Sequence, residues 1–163
     1  MSYLVDTNFF VQAHRVAYPL DVVESFWNVV NKLAIDGEII SIDKVKKEMY
    51  GNRDDLTIWC KDKLPSDFFK NSTTAIIEYS QLANWANNKS DHYKASAISE
   101  FLDADEADAW LIAYAKANDL TLITHEVSSP EGKKKIKIPD VCMPFNVKYT
   151  TTIEMFRALG IKF

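Results

Sequence analysis

Glycine, proline and cysteine are scarce in this chain of 163 residues, which contains 4 glycines, 5 prolines and 2 cysteines. Collagen-like repeats and flexible low-complexity linkers need far more glycine and proline, so both are excluded. Cys60 and Cys142 form no CxxC or Cys/His group, so the sequence predicts neither a disulfide framework nor a structural zinc site. We therefore expect a protein of the reducing cytoplasm.

Long hydrophobic runs are also missing. The densest apolar stretch, from Ala109 to Ala115, ends at Lys116 and falls far short of the roughly 20 residues that a membrane-spanning helix needs. The N-terminal segment has no basic start, and Asp6 interrupts its apolar run, so it does not have the pattern of a secretory signal. The sequence predicts no membrane association.

The composition is that of a globular protein with one domain, residues 1–163. Apolar residues make up 47% of the chain and charged residues 26%, which excludes intrinsic disorder at this length. The 19 basic and 23 acidic residues give a net charge of −4, an unfavourable overall balance for binding nucleic acid. The positions of the charges therefore matter more than their sum.

Short apolar runs alternate with helical patterns along the chain. The runs at 3–5, 39–40 and 120–124 predict strands, and the spacing of apolar residues predicts helices over 22–34, 56–64, 75–86, 93–102 and 106–117. Asp43 is a predicted helix N-cap, and Thr151 with Glu154 predicts a capping box for a last helix through Leu159. This alternation predicts a three-layer α/β/α sandwich around a mainly parallel sheet. In such sheets the ligand crevice lies beyond the carboxyl ends of the strands.

Four carboxylates are candidates for that crevice. Asp6 and Glu126 follow predicted strands, and Asp108 lies on a helix that is apolar over most of its circumference. No lysine or arginine lies between residues 95 and 115 to compensate Asp108 locally. Glu48 lies at the end of a short helix. Mg²⁺ and Mn²⁺ prefer oxygen ligands and relieve the repulsion within such a cluster, so the pattern predicts one or two of these ions and phosphodiester chemistry.

Each carboxylate taken alone also has a structural explanation. Asp108 suits the polar first turn of its helix, where acids interact favourably with the helix dipole. Asp6 can cap the turn after its strand, while Glu48 and Glu126 can be solvated surface residues. The functional interpretation depends on the four acids converging.

The order of these motifs resembles the PIN domain, and especially PIN-domain toxins of the VapC-like type. The motifs are LVDTN near the N-terminus, VKKEM around Glu48, EADAWLIAYA around Asp108 and the strand LTLITHE. The resemblance extends from Tyr3 to about Leu159, with a longer middle section, from Gly51 to Leu102, than in the smallest members. It implies a three-layer α/β/α fold and a Mg²⁺- or Mn²⁺-dependent ribonuclease that leaves a 5′-phosphate and a 3′-hydroxyl.

The resemblance also implies roles for single residues. Asp6, Glu48 and Asp108 match the family's first three acids, and Glu126 stands where many members have aspartate. Two polar residues match supporting positions, Asn8 and Thr124.

A lysine-rich segment is the predicted contact for a polyanion. Residues 131–148 contain five lysines against two acids, and Lys133, Lys134 and Lys135 are consecutive. A solvated loop is the alternative explanation. The other candidates for contact with substrate are His125, Arg15 and Tyr18. The acid-rich segment from Glu100 to Asp108 would have to face away from the substrate.

These observations predict a metal-dependent endoribonuclease, the toxin of a toxin–antitoxin pair, with RNA as substrate. The resemblance further implies a small antitoxin protein as partner and a homodimer. One alternative is a PIN-like scaffold that binds RNA or protein without cutting. A weaker one is an aspartyl-phosphate phosphatase with Asp6 as nucleophile, but Asn8 stands where its second acid is expected.

Overall fold

A five-stranded, all-parallel sheet forms the centre of the molecule in a computed structural model that describes residues 2–163. The strands are β1 (Tyr3–Val5), β2 (Ile39–Ile42), β3 (Phe69–Lys70), β4 (Thr121–Ile123) and β5 (Tyr149–Thr150), in the spatial order β3-β2-β1-β4-β5. In the centre, Leu4 lies opposite Ile40 of β2 and Leu122 of β4. The predicted strands are confirmed, and the two edge strands, each of two residues, are additions to the prediction.

Helices connect the strands. Among residues 2–163 they are α1 (Thr7–Gln12), α2 (Glu24–Ile35), α3 (Asp43–Tyr50), α4 (Asp55–Lys63), α5 (Ile76–Asn87), α6 (Ala95–Phe101), α7 (Asp108–Asn118), α8 (Ile138–Cys142) and α9 (Thr152–Ala158). A π-helical turn (Ala13–Ala17) extends α1, and a 3₁₀ turn (Ser72–Ala75) precedes α5. The predicted helices are confirmed within a few residues, whereas α1 and α8 fall in segments for which the sequence predicts no helix.

Two predicted caps have different outcomes. Thr151 is confirmed as an N-cap, because its hydroxyl accepts a hydrogen bond from the backbone N–H of Glu154. The Glu154 carboxylate pairs with Arg157, so the second bond of the predicted capping box is not formed. The N-cap prediction for Asp43 is wrong, because Asp43 is the first residue of α3 and Ile42 occupies the cap position. The Asp43 carboxylate instead accepts hydrogen bonds from the backbone N–H groups of Lys44 and Ser72 and so ties α3 to the 3₁₀ turn.

Helices cover both faces of the sheet, as the predicted three-layer α/β/α fold requires. By the right-handed rule for parallel crossovers, the connections from β1 to β2 to β3 place α2 and α4 on one face, and the return from β3 to β4 places α5 and α7 on the other. On the first face Phe26 of α2 packs edge-on against Phe156 of α9, and Trp27 packs against Trp59 of α4. On the second face, Trp110 of α7 stacks on Tyr79 of α5 with ring centroids 4.1 Å apart.

The core is apolar and extends through all three layers. Leu4, Ile39 and Leu122 in the strands are fully buried, as are Leu111 and Ile112 in α7. No helix within residues 2–163 has the length and apolar character needed to cross a bilayer. Because all strands run in one direction, the residues that follow β1, β2 and β4 meet at a single edge of the sheet, the carboxyl edge.

Candidate active site

Asp6 follows β1 directly and begins α1. Its carboxylate Oδ1 accepts a hydrogen bond of 2.8 Å from the backbone N–H of Phe9, so the side chain is the N-cap of that helix. The residue is only 4% exposed. Burial, and then the charges of Asp108, Glu126 and Glu48, raise the pKa of Asp6 to about 7, although the bond from Phe9 opposes the shift.

Glu48 joins three elements at the carboxyl edge. It lies near the end of α3, half-buried, and one carboxylate oxygen accepts a hydrogen bond from the hydroxyl of Thr7 at the start of α1. The other oxygen accepts a bond of 3.0 Å from the backbone N–H of Ala107, just before α7. The Glu48 side chain therefore fixes the spacing between the helices that carry Asp6 and Asp108.

Asp108 is the first residue of α7. Its side chain is half-buried, and burial is the largest cause that raises its pKa to about 7. The carboxylates of Glu126, Glu48 and Glu106 raise the pKa further, while Lys135 lowers it.

Glu126 reaches the same cluster from the loop after β4. The Thr124 hydroxyl accepts a hydrogen bond of 3.1 Å from the backbone N–H of Glu126, which turns the chain back over the sheet edge. The Glu126 side chain is 13% exposed and accepts a bond of 2.8 Å from the backbone N–H of Ile138. Its other carboxylate oxygen lies 3.2 Å from the ammonium nitrogen of Lys135.

The structure thus brings together the four predicted acids, which we call the acid cluster: Asp6, Glu48, Asp108 and Glu126. The three other members all influence the pKa of Asp6. Their ligand atoms would be carboxylate oxygens, the type of ligand that Mg²⁺ and Mn²⁺ prefer. Among residues 2–163, however, no group of three His, Cys, Asp or Glu side chains is arranged so that it could hold a metal ion as it stands. Glu48 and Glu126 would have to turn from their present hydrogen-bond donors toward a cation.

Two further acids lie beside the cluster. Glu100 and Glu106 line a cavity of about 10 Å³ together with Asp108 and Lys135. Partial burial and the neighbouring Glu48 carboxylate raise the pKa of Glu106. The segment from Glu100 to Asp108 therefore does not turn away from the site as a whole. Asp105, by contrast, points outward and pairs with Lys47 at 2.7 Å.

The predicted supporting residues have different surroundings. Thr124 is buried, and its hydroxyl accepts the hydrogen bond from the backbone N–H of Glu126 that turns the chain there. Asn8 is exposed and lines an open cleft that also contains Glu126 and Lys137, so it faces the site without contacting an acid through a hydrogen bond. Thr7, between Asp6 and Asn8, supplies a contact to Glu48 that the sequence pattern does not predict.

The predicted substrate contacts are only partly near the acids. His125 is exposed in the same cleft, with its ring nitrogen Nε2 3.2 Å from the hydroxyl of Thr152. Lys133 and Lys134 are exposed on the loop, whereas Lys135 pairs with Glu126. Arg15 is exposed and pairs with Asp54 at 4.0 Å. Tyr18 stacks on Phe26 and lines a pocket that also includes His125.

Comparison with known proteins gives a family for the whole chain. The model of a domain of unknown function, DUF4411, matches residues 3–163. The chain belongs to the DUF4411 family. No curated protein and no solved structure matches it. The DUF4411 match includes every member of the acid cluster, so the site lies within the region that defines the family.

Proposed function

We propose that this DUF4411 chain is a divalent-cation-dependent endoribonuclease whose catalytic acids are those of the acid cluster. One observation carries the proposal: Asp6 and Asp108, on separate elements, are both largely desolvated and both have a pKa raised to about 7. Keeping such acids together costs free energy, and groups perturbed in this way cluster at functional sites. Their position at the carboxyl edge of a parallel sheet, where ligands bind in open α/β folds, supports the same conclusion.

The acid cluster would hold one or two Mg²⁺ or Mn²⁺ ions, with Asp6 and Asp108 as the central ligands. When bound, the cation activates water for attack on a phosphodiester and stabilises the leaving oxygen. The chain's own residues prepare this site. Glu48 fixes the distance between α1 and α7, and Thr124 directs Glu126 over the sheet edge. The protons that Asp6 and Asp108 retain near pH 7 would leave their carboxyl groups as the cation binds.

RNA as the substrate class rests on the resemblance to PIN-domain ribonucleases, and the lysines of the loop between Glu126 and α8 support it. Lys133 and Lys134 have no ion-pair partner among residues 2–163, and Lys137 lines the cleft that contains Glu126. Such cations bind phosphates without regard to base sequence. The role of toxin in a toxin–antitoxin pair, the small antitoxin partner, the homodimer and the cytoplasmic location stay predictions.

A specific observation also favours a scaffold that binds RNA without cutting it. Glu48 and Glu126 are turned toward hydrogen-bond donors of the protein, and no ready-made group of metal ligands exists among residues 2–163. A scaffold of this kind would bind Mn²⁺ no more tightly than a variant in which Asp108→Ala removes a central ligand. Calorimetric titration of both proteins with Mn²⁺ separates the two functions.

The test of the nuclease is cleavage of a mixed panel of single-stranded and structured RNAs. We expect cleavage with Mn²⁺, loss of cleavage with excess EDTA, and a loss of at least about 100-fold in the separate variants Asp6→Asn and Asp108→Asn. Asp36→Asn, an exposed aspartate after α2, is the matched control and should retain activity. Cleavage that survives chelation, or that survives both substitutions in the acid cluster, contradicts the mechanism.

A further inference from the structure

Lys135 is the cation that contacts the acid cluster. Among the ion pairs formed by residues 2–163, the pair of Lys135 with Glu126 is the one that involves a member of the cluster. The Lys135 ammonium nitrogen lies 3.2 Å from an oxygen of the largely buried Glu126 side chain. Lys135 also borders the small cavity that Asp108, Glu100 and Glu106 line. One ammonium group therefore balances carboxylates from three segments of the chain.

The backbone on both sides of Lys135 is anchored. The carbonyl of Lys133 accepts a hydrogen bond of 2.9 Å from the backbone N–H of Lys94, and Ile136 is 2% exposed in the core. The Lys135 side chain, by contrast, is 45% exposed. A lysine ammonium is a compact charge on a flexible stem, so it can leave the cluster without unfolding the loop that carries it.

We propose that the ammonium group of Lys135 occupies the place of the divalent cation in the acid cluster and is displaced when the cation binds. Lys135 thereby sets the cation concentration at which the site fills. This inference rests on the proposed function, because it describes how cation binding at the same site is regulated. It assigns Lys135 a positioning role toward the acids and no contact with the reacting atoms.

The contact between Lys135 and Glu126 supports direct competition. The Lys135 ammonium nitrogen lies 3.2 Å from a Glu126 oxygen, so a divalent cation that takes this oxygen as a ligand has the ammonium group beside it. A divalent cation also repels a nearby ammonium. At a separation of about 5 Å with water-like screening, the repulsion corresponds to about a tenfold change in affinity.

The first measurement is a calorimetric titration with Mn²⁺ at pH 8 for the wild-type chain and two variants. Lys135→Gln removes the competing charge while keeping a polar side chain, and we expect it to bind Mn²⁺ about tenfold more tightly than the wild type. Lys134→Gln removes the same charge from the adjacent exposed position and should bind like the wild type. An equal or weaker affinity for Lys135→Gln, or an equal gain in both variants, overturns the proposal.

The second measurement uses thermal unfolding in EDTA, where no divalent cation is available. Lys135→Gln should lower the melting temperature more than Lys134→Gln does, because only Lys135 compensates buried carboxylates. Added Mn²⁺ should reverse this difference, and the same melting temperature for both variants in EDTA also overturns the proposal.

If neither protein binds Mn²⁺, the proposed nuclease and the competition fall together. If Mn²⁺ binding and RNA cleavage are normal but Lys135→Gln changes neither measurement, only the role of Lys135 fails.

Discussion

Two buried aspartates of this molecule have opposite surroundings. Asp140, in the first turn of α8, is 8% exposed and accepts hydrogen bonds from the Ser128 hydroxyl at 2.6 Å and from the Ser129 backbone N–H at 3.0 Å. Asp6 is 4% exposed and accepts one backbone hydrogen bond while facing the acids of the cluster. Burial is therefore similar for both, and the difference lies in what surrounds the charge.

The comparison separates a structural carboxylate from one to which we assign a function. The donors around Asp140 satisfy its charge and fix the loop from Ser128 to Ile138 against α8. The acids around Asp6 repel its negative charge, so the binding of a cation or a proton stabilises this carboxylate. A buried carboxylate with its own donors stabilises the fold, whereas one surrounded by other carboxylates lowers stability until a cation or a proton compensates it.

The largest expected effect of this difference is on stability as a function of pH. The pKa of Asp6 is raised from 3.8 to about 7, so the folded protein retains a proton between these values that the unfolded chain has lost. This proton contributes about 4 kcal/mol to the free energy of unfolding. The contribution is fully present below about pH 4 and is lost as the pH rises to about 7. In EDTA, urea unfolding should show this decline for the wild type and a flatter profile for Asp6→Asn. Equal slopes for the two proteins contradict it.

A pair of substitutions should change stability in opposite directions in EDTA at pH 8. Asp140→Ala leaves the Ser128 hydroxyl and the Ser129 N–H without their acceptor, and we expect a loss of about 1–3 kcal/mol in the free energy of unfolding. Asp6→Asn removes a buried charge yet keeps the helix cap, because asparagine caps helices as well as aspartate does. We expect it to be more stable than the wild type. If both variants lose stability equally in urea unfolding, the distinction between the two sites is wrong.

The smallest expected effect concerns the loop between Glu126 and α8. Replacing Lys133 and Lys134 together with alanine should weaken RNA binding and reduce the slope of log affinity against log salt by about 0.7 for each phosphate that the variant no longer binds. The Lys32→Ala variant, on α2, is the control for a general change in charge and should keep the wild-type slope. Binding isotherms at several salt concentrations measure both slopes. An unchanged slope in the double variant would assign these lysines to solubility.

The central part of the fold was predictable because its signals are local. The apolar run of β1 and the helical spacing of α2 and α7 are visible in the sequence and agree with the structure. The edge strands β3 and β5 have two residues each and exist through pairing with β2 and β4. Such strands have no periodicity of their own, so no local pattern could predict them.

The acids of the site were predictable for a similar reason, while their partners were not. Asp6 and Glu126 follow strands, and parallel strands bring such residues to one edge. The contacts of Thr7 with Glu48 and of Lys135 with Glu126 join separate segments and depend on tertiary packing. The polar character of Thr7 within DTN was the available signal, but it does not indicate which acid the hydroxyl contacts.

The position of β1 in the middle of the sheet determines when the site can exist during synthesis. Tyr3 pairs with Thr121, so β1 has an open edge until most of the chain has left the ribosome. Asp6, Asp108 and Glu126 then come together only after β4 has been made. A ribosome-bound fragment that ends before Thr121 cannot assemble the acid cluster, so the proposed cleavage of RNA would be withheld from the ribosome that is still making the chain.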